Sequence, residues 1–393
     1  MTTLTRRAAQ PGVVDDAVVI AGYRETIHVP PWNGQRSRYD AFCVLSGGVT
    51  GWLLGELPAR WLAHHRGVLL DVMRLDSAIG RLRLPTIPHT AGALFDSFAL
   101  TALPSLRHDM RASGGRMFVS CDDLFWQIPP WIPMDPADPP EQHRADIARI
   151  ERSLSEADGL VVHTARMAEQ VQRFNRSIRV IPQALPPLDE LPMLRPPSHA
   201  GIRIGWAGSA SHDGDLEMIA PAILQLLARH PDVTFVLAGP DFPSWAVEVR
   251  SSPQIELHPG WIPLPAYYRR LASLALDVFI CPLVDIPYNA VKPALKPLEA
   301  AGLGIPVIAS AVGSYAEDLR HEETALLVEN TTETWLAALT RLVEDAALRT
   351  QLSRGGREWA ATRTIDQMGP FWADLWGVPT ASSADHVIAE MPA

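Results

Sequence analysis

Lysine is almost missing from this chain. Two of its 34 basic residues are lysine and the other 32 are arginine. Cysteine is scarce as well. Cys43, Cys121 and Cys281 lie far apart, form no Cys-x-x-Cys pair and fit no zinc spacing. That argues against a disulfide framework or a cysteine metal finger, and reads as reduced core thiols in a cytoplasmic protein. No run of about 18 apolar residues occurs, so no transmembrane segment is expected. The opening MTTLTRRAAQPGVVDD has two arginines but no apolar run of signal-peptide length behind them. Excess positive charge is missing too. The net charge is −10 at pH 7, which argues against tight binding of nucleic acid.

What is present suits a soluble chain of two domains. It has 393 residues, 47% of them hydrophobic and 20% charged, enough for a core in each half. The 35 prolines and 12 tryptophans point to ordered loops. Acidity is uneven. Residues 1–196 carry 21 Arg against 21 acidic residues, whereas 197–393 carry 13 basic against 23 acidic. Both lysines, Lys292 and Lys296, fall in the acidic half. Such a local cationic exception is what an anionic ligand needs. The neutral first half gives no general attraction to an anionic membrane. Arginines around 81–83 and 107–116 leave a peripheral lipid contact open.

ALPPLDELPMLRPPSHAG, residues 184–201, has five prolines and reads as a linker. It divides the chain into 1–190 and 200–370, with 371–393 a helix or tail that crosses back to the first domain. Beyond the linker, strand-like and helix-like segments alternate. IRIGWAG, VTFVLAG, DVFICPL, IPVIAS and TALLVEN are strands, and DLEMIAPAILQLLARHP, LPAYYRRLASL and 332–345 are helices. The first half offers strands at 16–23, 41–47, 67–73, 116–123, 159–164 and 178–185, with helices at 141–158 and 165–174. The fold class expected is α/β: two Rossmann-like, doubly wound domains with a ligand in the cleft between them.

The lysines sit in NAVKPALKPLEAAGLGIPVIAS, residues 289–310. Pro297 suits a helix start, so the helix is expected from 296–297, with the lysines at its mouth and Glu299 in its first turn. Free N–H groups, the helix dipole and two ammonium groups together make a diphosphate site. The Glu299 carboxylate can accept from vicinal hydroxyls such as those of a ribose. The bland alternative is a solvated turn whose Glu favours the dipole. GWAGSASHDGDLEMI, 205–219, brings Gly208 for close backbone approach, Ser209 and Ser211 as donors and Asp215 as a cap or first-turn acid. A plain strand–helix turn fits it too, with His212 a loop residue. AVGSYAED, 311–318, sets Ser314 at another helix start, as anion ligand or as cap. VSCDDLFWQIPPW, 119–131, ends a strand with Asp122 and Asp123. They could orient a sugar or serve as a base, with aromatic faces for a pyranose, or simply cap a turn. Arg36, Arg38 and His28 could line the cleft or lie on the surface.

These segments resemble the group 1 glycosyltransferases of GT-B fold. The resemblance runs through IRIGWAGSASHDGDL, VTFVLAGP, DVFICPLVDIPYNAVKPALKPLEAAGLGIPVIASAVGSYAEDL and ETALLVEN, and through RMFVSCDDLFWQIP in the first half. Within that family the spacing Asn289-x-x-Lys292-x-x-x-Lys296-x-x-Glu299 is similar to one sub-branch. The resemblance implies Glu299 on the donor ribose, Lys292 or Lys296 at the diphosphate, and Gly313 and Ser314 near the donor phosphate or sugar. It implies transfer with retention and no bound metal, the nucleoside-diphosphate sugar being a substrate and not a cofactor. Asp122, Asp123 and Lys296 are the catalytic candidates, and Asn289, His212, Gly208 and Ser209 are counted with the lysines and Glu299 as substrate-binding candidates. The acceptor would be a glycan, a lipid-linked sugar or a small molecule. Two departures stand out. Val291 occupies the place where many relatives have a sugar-reading Glu, and GSASHDGD has no basic residue but His212. They motivate two rivals: an inactive scaffold that binds a sugar nucleotide or a partner protein, and a sugar-nucleotide epimerase.

Overall fold

The computed structural model describes residues 24–26, 40–46, 51–75, 92–96, 115–132, 140–192, 199–240, 246–247, 252–260, 262, 264 and 266–378. His28, Arg36, Arg38, the strand expected at 16–23 and the arginines at 81–83 and 107–111 lie outside them. So does the chain beyond 378.

The first sheet holds β1 (Arg24–Thr26), β2 (Asp40–Ser46), β3 (Leu69–Leu75), β4 (Gly92–Asp96), β5 (Arg116–Ser120), β6 (Gly159–Val162) and β7 (Ile178–Val180). Its order is β1-β3-β2-β4-β5-β6-β7. All pairs are parallel except the edge pair β1–β3. A π-helical turn, Trp52–Glu56, leads into helix α1 (Leu57–Arg66), and α2 (Pro140–Glu156) and α3 (Ala165–Val171) cross between strands. The second sheet is wholly parallel in the order β10-β9-β8-β11-β12-β13. Its strands are β8 (Ile202–Ala207), β9 (Val233–Gly239), β10 (Ile255–Pro259), β11 (Val278–Cys281), β12 (Val307–Ser310) and β13 (Leu326–Val328). Helices α4 (Asp213–Arg229), α5 (Ala266–Ser273), α6 (Pro287–Ala290), α7 (Leu295–Gly302) and α8 (Gly313–Asp318) connect them. Then come α9 (Thr332–Glu344), α10 (Ala346–Ala361) and α11 (Ile365–Leu375).

Parallel strands covered on both faces must be apolar throughout. Ile204, Trp206, Phe235, Phe279, Ile280 and Ile308 are all buried accordingly. Each such side chain contributes about 1.5–3 kcal/mol. Strand order reverses between β8 and β11, and the carboxyl ends at that reversal are where an open α/β sheet takes its ligand.

The two domains are joined in three ways. Leu185 of the linker bonds Arg363 and Ile365, and α11 packs back on α1, its Gly369 lying flat on the Trp61 ring. Trp376 meets Phe118 edge-on at 5.7 Å. On the opposite side, Tyr288 and Val291, from the turn after β11, are buried in the core of the first sheet with Val119, Leu160 and Val162. Thr164 ties this contact down. Its hydroxyl accepts from Met167 N at 3.1 Å, capping α3, and donates to the Val291 carbonyl at 2.9 Å.

Candidate functional site

The cleft holds a cavity of about 370 Å³ at the carboxyl ends of β8, β9 and β10. The second domain lines it with Gly208, Ser209, His212, Lys292, Lys296 and Glu299, and the first faces it with Asp122, Asp123 and Gln183.

Helix α7 begins at Leu295, so Pro297 is its third residue, where an N–H would have no helical partner anyway. Glu299 consequently falls in the second turn and not the first. Lys296 is drawn inward. Its ammonium donates to the Ala207 carbonyl at 2.7 Å and lies 5.0 Å from the centre of the Trp206 ring. Gly208 makes that approach possible: a Cβ there would stand 2.5 Å from Lys296 Nζ. The glycine thus admits a side chain where a ligand was expected. Lys292 points across the cleft, 3.7 Å from Asp123 Oδ1 and 4.7 Å from the Tyr288 ring centre.

Glu299 is 4% exposed and accepts from the Tyr267 hydroxyl. Burial raises its carboxyl from the usual 4.5 to about 7, against the pull of Lys296 and Tyr267. Burial also lowers Lys296, and the Glu299 charge opposes that. Because the folded value of Glu299 lies above the unfolded one, its contribution to stability is full below about pH 4.5 and is lost as pH rises through about 7. Glu299→Gln should therefore be more stable than wild type at pH 8, by at most about 3 kcal/mol, and nearly equal to it at pH 5. Urea unfolding at the two pH values reads the difference. A gain of the same size at both would contradict it.

Asp215, 0% exposed, is neither a cap nor solvated. It accepts from Val284 N at 2.7 Å, Asn289 Nδ2 at 2.8 Å and His212 Nδ1 at 2.8 Å. Burial lifts it to about 6, while the Val284 bond, Lys292, Asn289 and Lys296 hold it down. Burial, then Lys296 and Lys292, push His212 well below its usual range. A neutral His212 that gives its Nδ1 proton to Asp215 keeps Nε2 as an acceptor. It belongs to a 3₁₀ turn, Ala210–His212, and not to an open loop.

Three expected ligand groups stand away from the cavity wall. Asn289 serves Asp215 and the Val284 carbonyl. Ser314 donates to the Ala290 carbonyl at 3.2 Å and caps nothing. Gly313 packs on the Ala290 backbone. The aromatic faces after Asp123 are also occupied: Phe125 is core, Trp126 meets Phe174, and Trp131 lies on Gly214. The side chain of Val291 is core. Sequence reading missed Tyr267, His258 and Arg270, which line the far end of the cavity. Their segment reads as an ordinary amphipathic helix after a weak strand, and only α5 facing the cleft reveals them. Among the described residues no group of three or more His, Cys, Asp or Glu is arranged for a metal ion, and no helix is long and apolar enough to cross a membrane. Cys121 and Cys281 are buried free thiols.

Two Rossmann-like domains facing a cleft, with the cavity at the strand reversal of the second, define a GT-B fold. Residues 201–345 match the model of the family described as Glycosyl transferases group 1, and the chain is related to that family. Among curated proteins it is similar to D-inositol 3-phosphate glycosyltransferase of Rhodococcus jostii, 28% identical over 259 residues, which are 58% of this chain and 55% of that one. The chain spans about half the length of the curated relatives it matches. Among solved structures it is similar to sucrose-phosphate synthase from Thermosynechococcus elongatus (TM-score 0.63, 17% identity, 86% of this chain and 98% of that one). It is also similar to the Anabaena protein HepE in complex with UDP and glucose (TM-score 0.60, 10% identity, 86% and 99%).

Proposed function

We propose that this protein is a cytoplasmic glycosyltransferase. It moves a sugar from a nucleoside diphosphate to a glycan, lipid-linked or small-molecule acceptor, with retention and without a metal. One observation carries the reading: the two lysines and Glu299 meet in one cavity, opposite Asp122 and Asp123. Lys292 and Lys296 hold the diphosphate, and Glu299 accepts from the ribose hydroxyls. As the bond from the anomeric carbon to phosphate breaks, the lysine charges meet the charge that builds on the leaving oxygen. The acceptor oxygen bonds the anomeric carbon on the same face, and its proton passes to the departing diphosphate. Asp122 and Asp123, on the first domain's wall, orient the sugar or the acceptor. The matched family, and the UDP and glucose in the HepE structure, support the same reading.

The burial of Val291 favours one rival, a scaffold that binds a sugar nucleotide without turning it over. Calorimetry with UDP, GDP, ADP and TDP tests the shared premise. At least one should bind with micromolar affinity, and turnover of its sugar with an acceptor separates enzyme from scaffold. No binding by any of the four would defeat both.

A further inference from the structure

The contacts in the cavity fall in a sequence. Lys296 sits over the end of β8, bonded to Ala207. Glu299 comes next, bonded to Tyr267. Arg270, one turn along α5 from Tyr267, follows and bonds His258 near the end of β10. Two strand spacings, about 10 Å, separate β8 from β10. If the diphosphate lies at the lysines and the ribose at Glu299, the base lies at Arg270. Ile262, Leu264, Leu271 and Leu274 supply an apolar wall there.

Arg270 is held in place from behind. Arg203 Nη1 pairs with Glu256 Oε2 at 2.8 Å, and Glu256 binds His258 Nε2. Arg203, first among the causes, keeps the Glu256 carboxyl below its usual range, so Glu256 stays an acceptor. His258 therefore turns a proton-free Nδ1 to Arg270 Nη2, at 2.9 Å. Among the described residues no carboxylate lies within ion-pair distance of Arg270. Its guanidinium keeps donors to spare, and it has no acceptor.

We propose that Arg270 reads the base, and that the donor carries a keto base, uracil, thymine or guanine, and not an amino base, cytosine or adenine. The inference rests on the reading of this cavity as a nucleoside-diphosphate site. A fixed guanidinium matches a keto oxygen. Against an exocyclic amine it sets donor to donor and leaves both unsatisfied.

The test uses two pairs that differ at this edge, UDP against CDP and IDP against ADP. By calorimetry, wild type should bind the keto member of each pair about tenfold or more tighter. In Arg270→Ala that ratio should fall to about twofold or less, through weaker UDP and IDP binding, while CDP and ADP keep their wild-type affinity. Arg270→Met keeps the stem and should give the same collapse if the alanine variant melts early. An undiminished ratio in the variants, or equal binding within each pair in wild type, would overturn the proposal alone. If no nucleotide binds wild type, the site reading falls with it.

Discussion

Lys296→Met is expected to weaken nucleoside-diphosphate binding about a hundredfold and to reduce turnover at least as much. The thioether keeps most of the stem and loses the charge that lies over Trp206. Removing one partner of a desolvated, hydrogen-bonded charge pair costs about 2–5 kcal/mol, much of it from the charge left behind. Here two charges are left behind. The diphosphate keeps only Lys292, and Glu299 loses the cation that draws its carboxyl down from an even higher value. At neutral pH more of Glu299 is then protonated and it becomes a poorer acceptor for ribose. Calorimetry with the best-binding nucleotide at pH 7 measures the loss. A melting curve at pH 5, where Glu299 is neutral and needs no cation, should nearly match wild type and separates lost binding from lost fold. Unchanged affinity would remove Lys296 from the site.

The second large effect lies where no ligand reaches. Gly313 has φ +50°, and a Cβ on it would stand 2.1 Å from the Ala290 carbonyl oxygen and 2.4 Å from Ala290 Cα. Backbone cannot swing aside as a side-chain end can. Gly313→Ala should cost about 3 kcal/mol, the sum of left-handed strain and overpacking. Ala290 ends the short helix whose Tyr288 is seated in the first domain and whose next turn carries Lys292. Relief of the clash pushes that turn, so nucleotide affinity should fall along with the melting temperature. Gly304→Ala is the control. It has φ +79°, but its nearest neighbour is Ser353 Oγ at 3.5 Å, so only backbone strain of about 1 kcal/mol remains. Equal losses in the two variants would refute the contact with Ala290 as the cause.

The second sheet was legible because its strands, three to seven residues long, are mostly apolar and punctuated by Gly and Pro, IELHP being the weak one. VTFVLAG is a strand from its first residue to its last. In the first half the periodicity is blurred. β4 at Gly92–Asp96 and the turn at Trp52–Glu56 went unread, since GALFD and WLLGE fit strand or helix equally well. Lys292, Lys296 and Glu299 announced themselves by rarity and by position near a helix start. Tyr267, Arg270 and His258 could not, because what joins them to that group is a fold contact across β8, β9 and β10. Asp215 gave a misleading signal. A first-turn acid usually serves its own helix, but this one is buried to hold Asn289 and the turn at Val284. Val291 shows the same limit in reverse. Sequence marked it as a departure at a ligand position, whereas its side chain is packing between domains.

The scarcity of lysine gives the chain a built-in chemical address. Every lysine it has borders the cavity, and arginine does not react with acylating reagents as a primary amine does. Lys292, with 15% of its side chain exposed, is the accessible member, and Lys296 is shut behind it. Side-chain amine labelling is thereby confined to the cleft. Acylation of a lysine-bearing peptide, counted apart from any label on the α-amine, becomes an occupancy reporter for the cleft of a 43.1 kDa protein, with no engineered tag required.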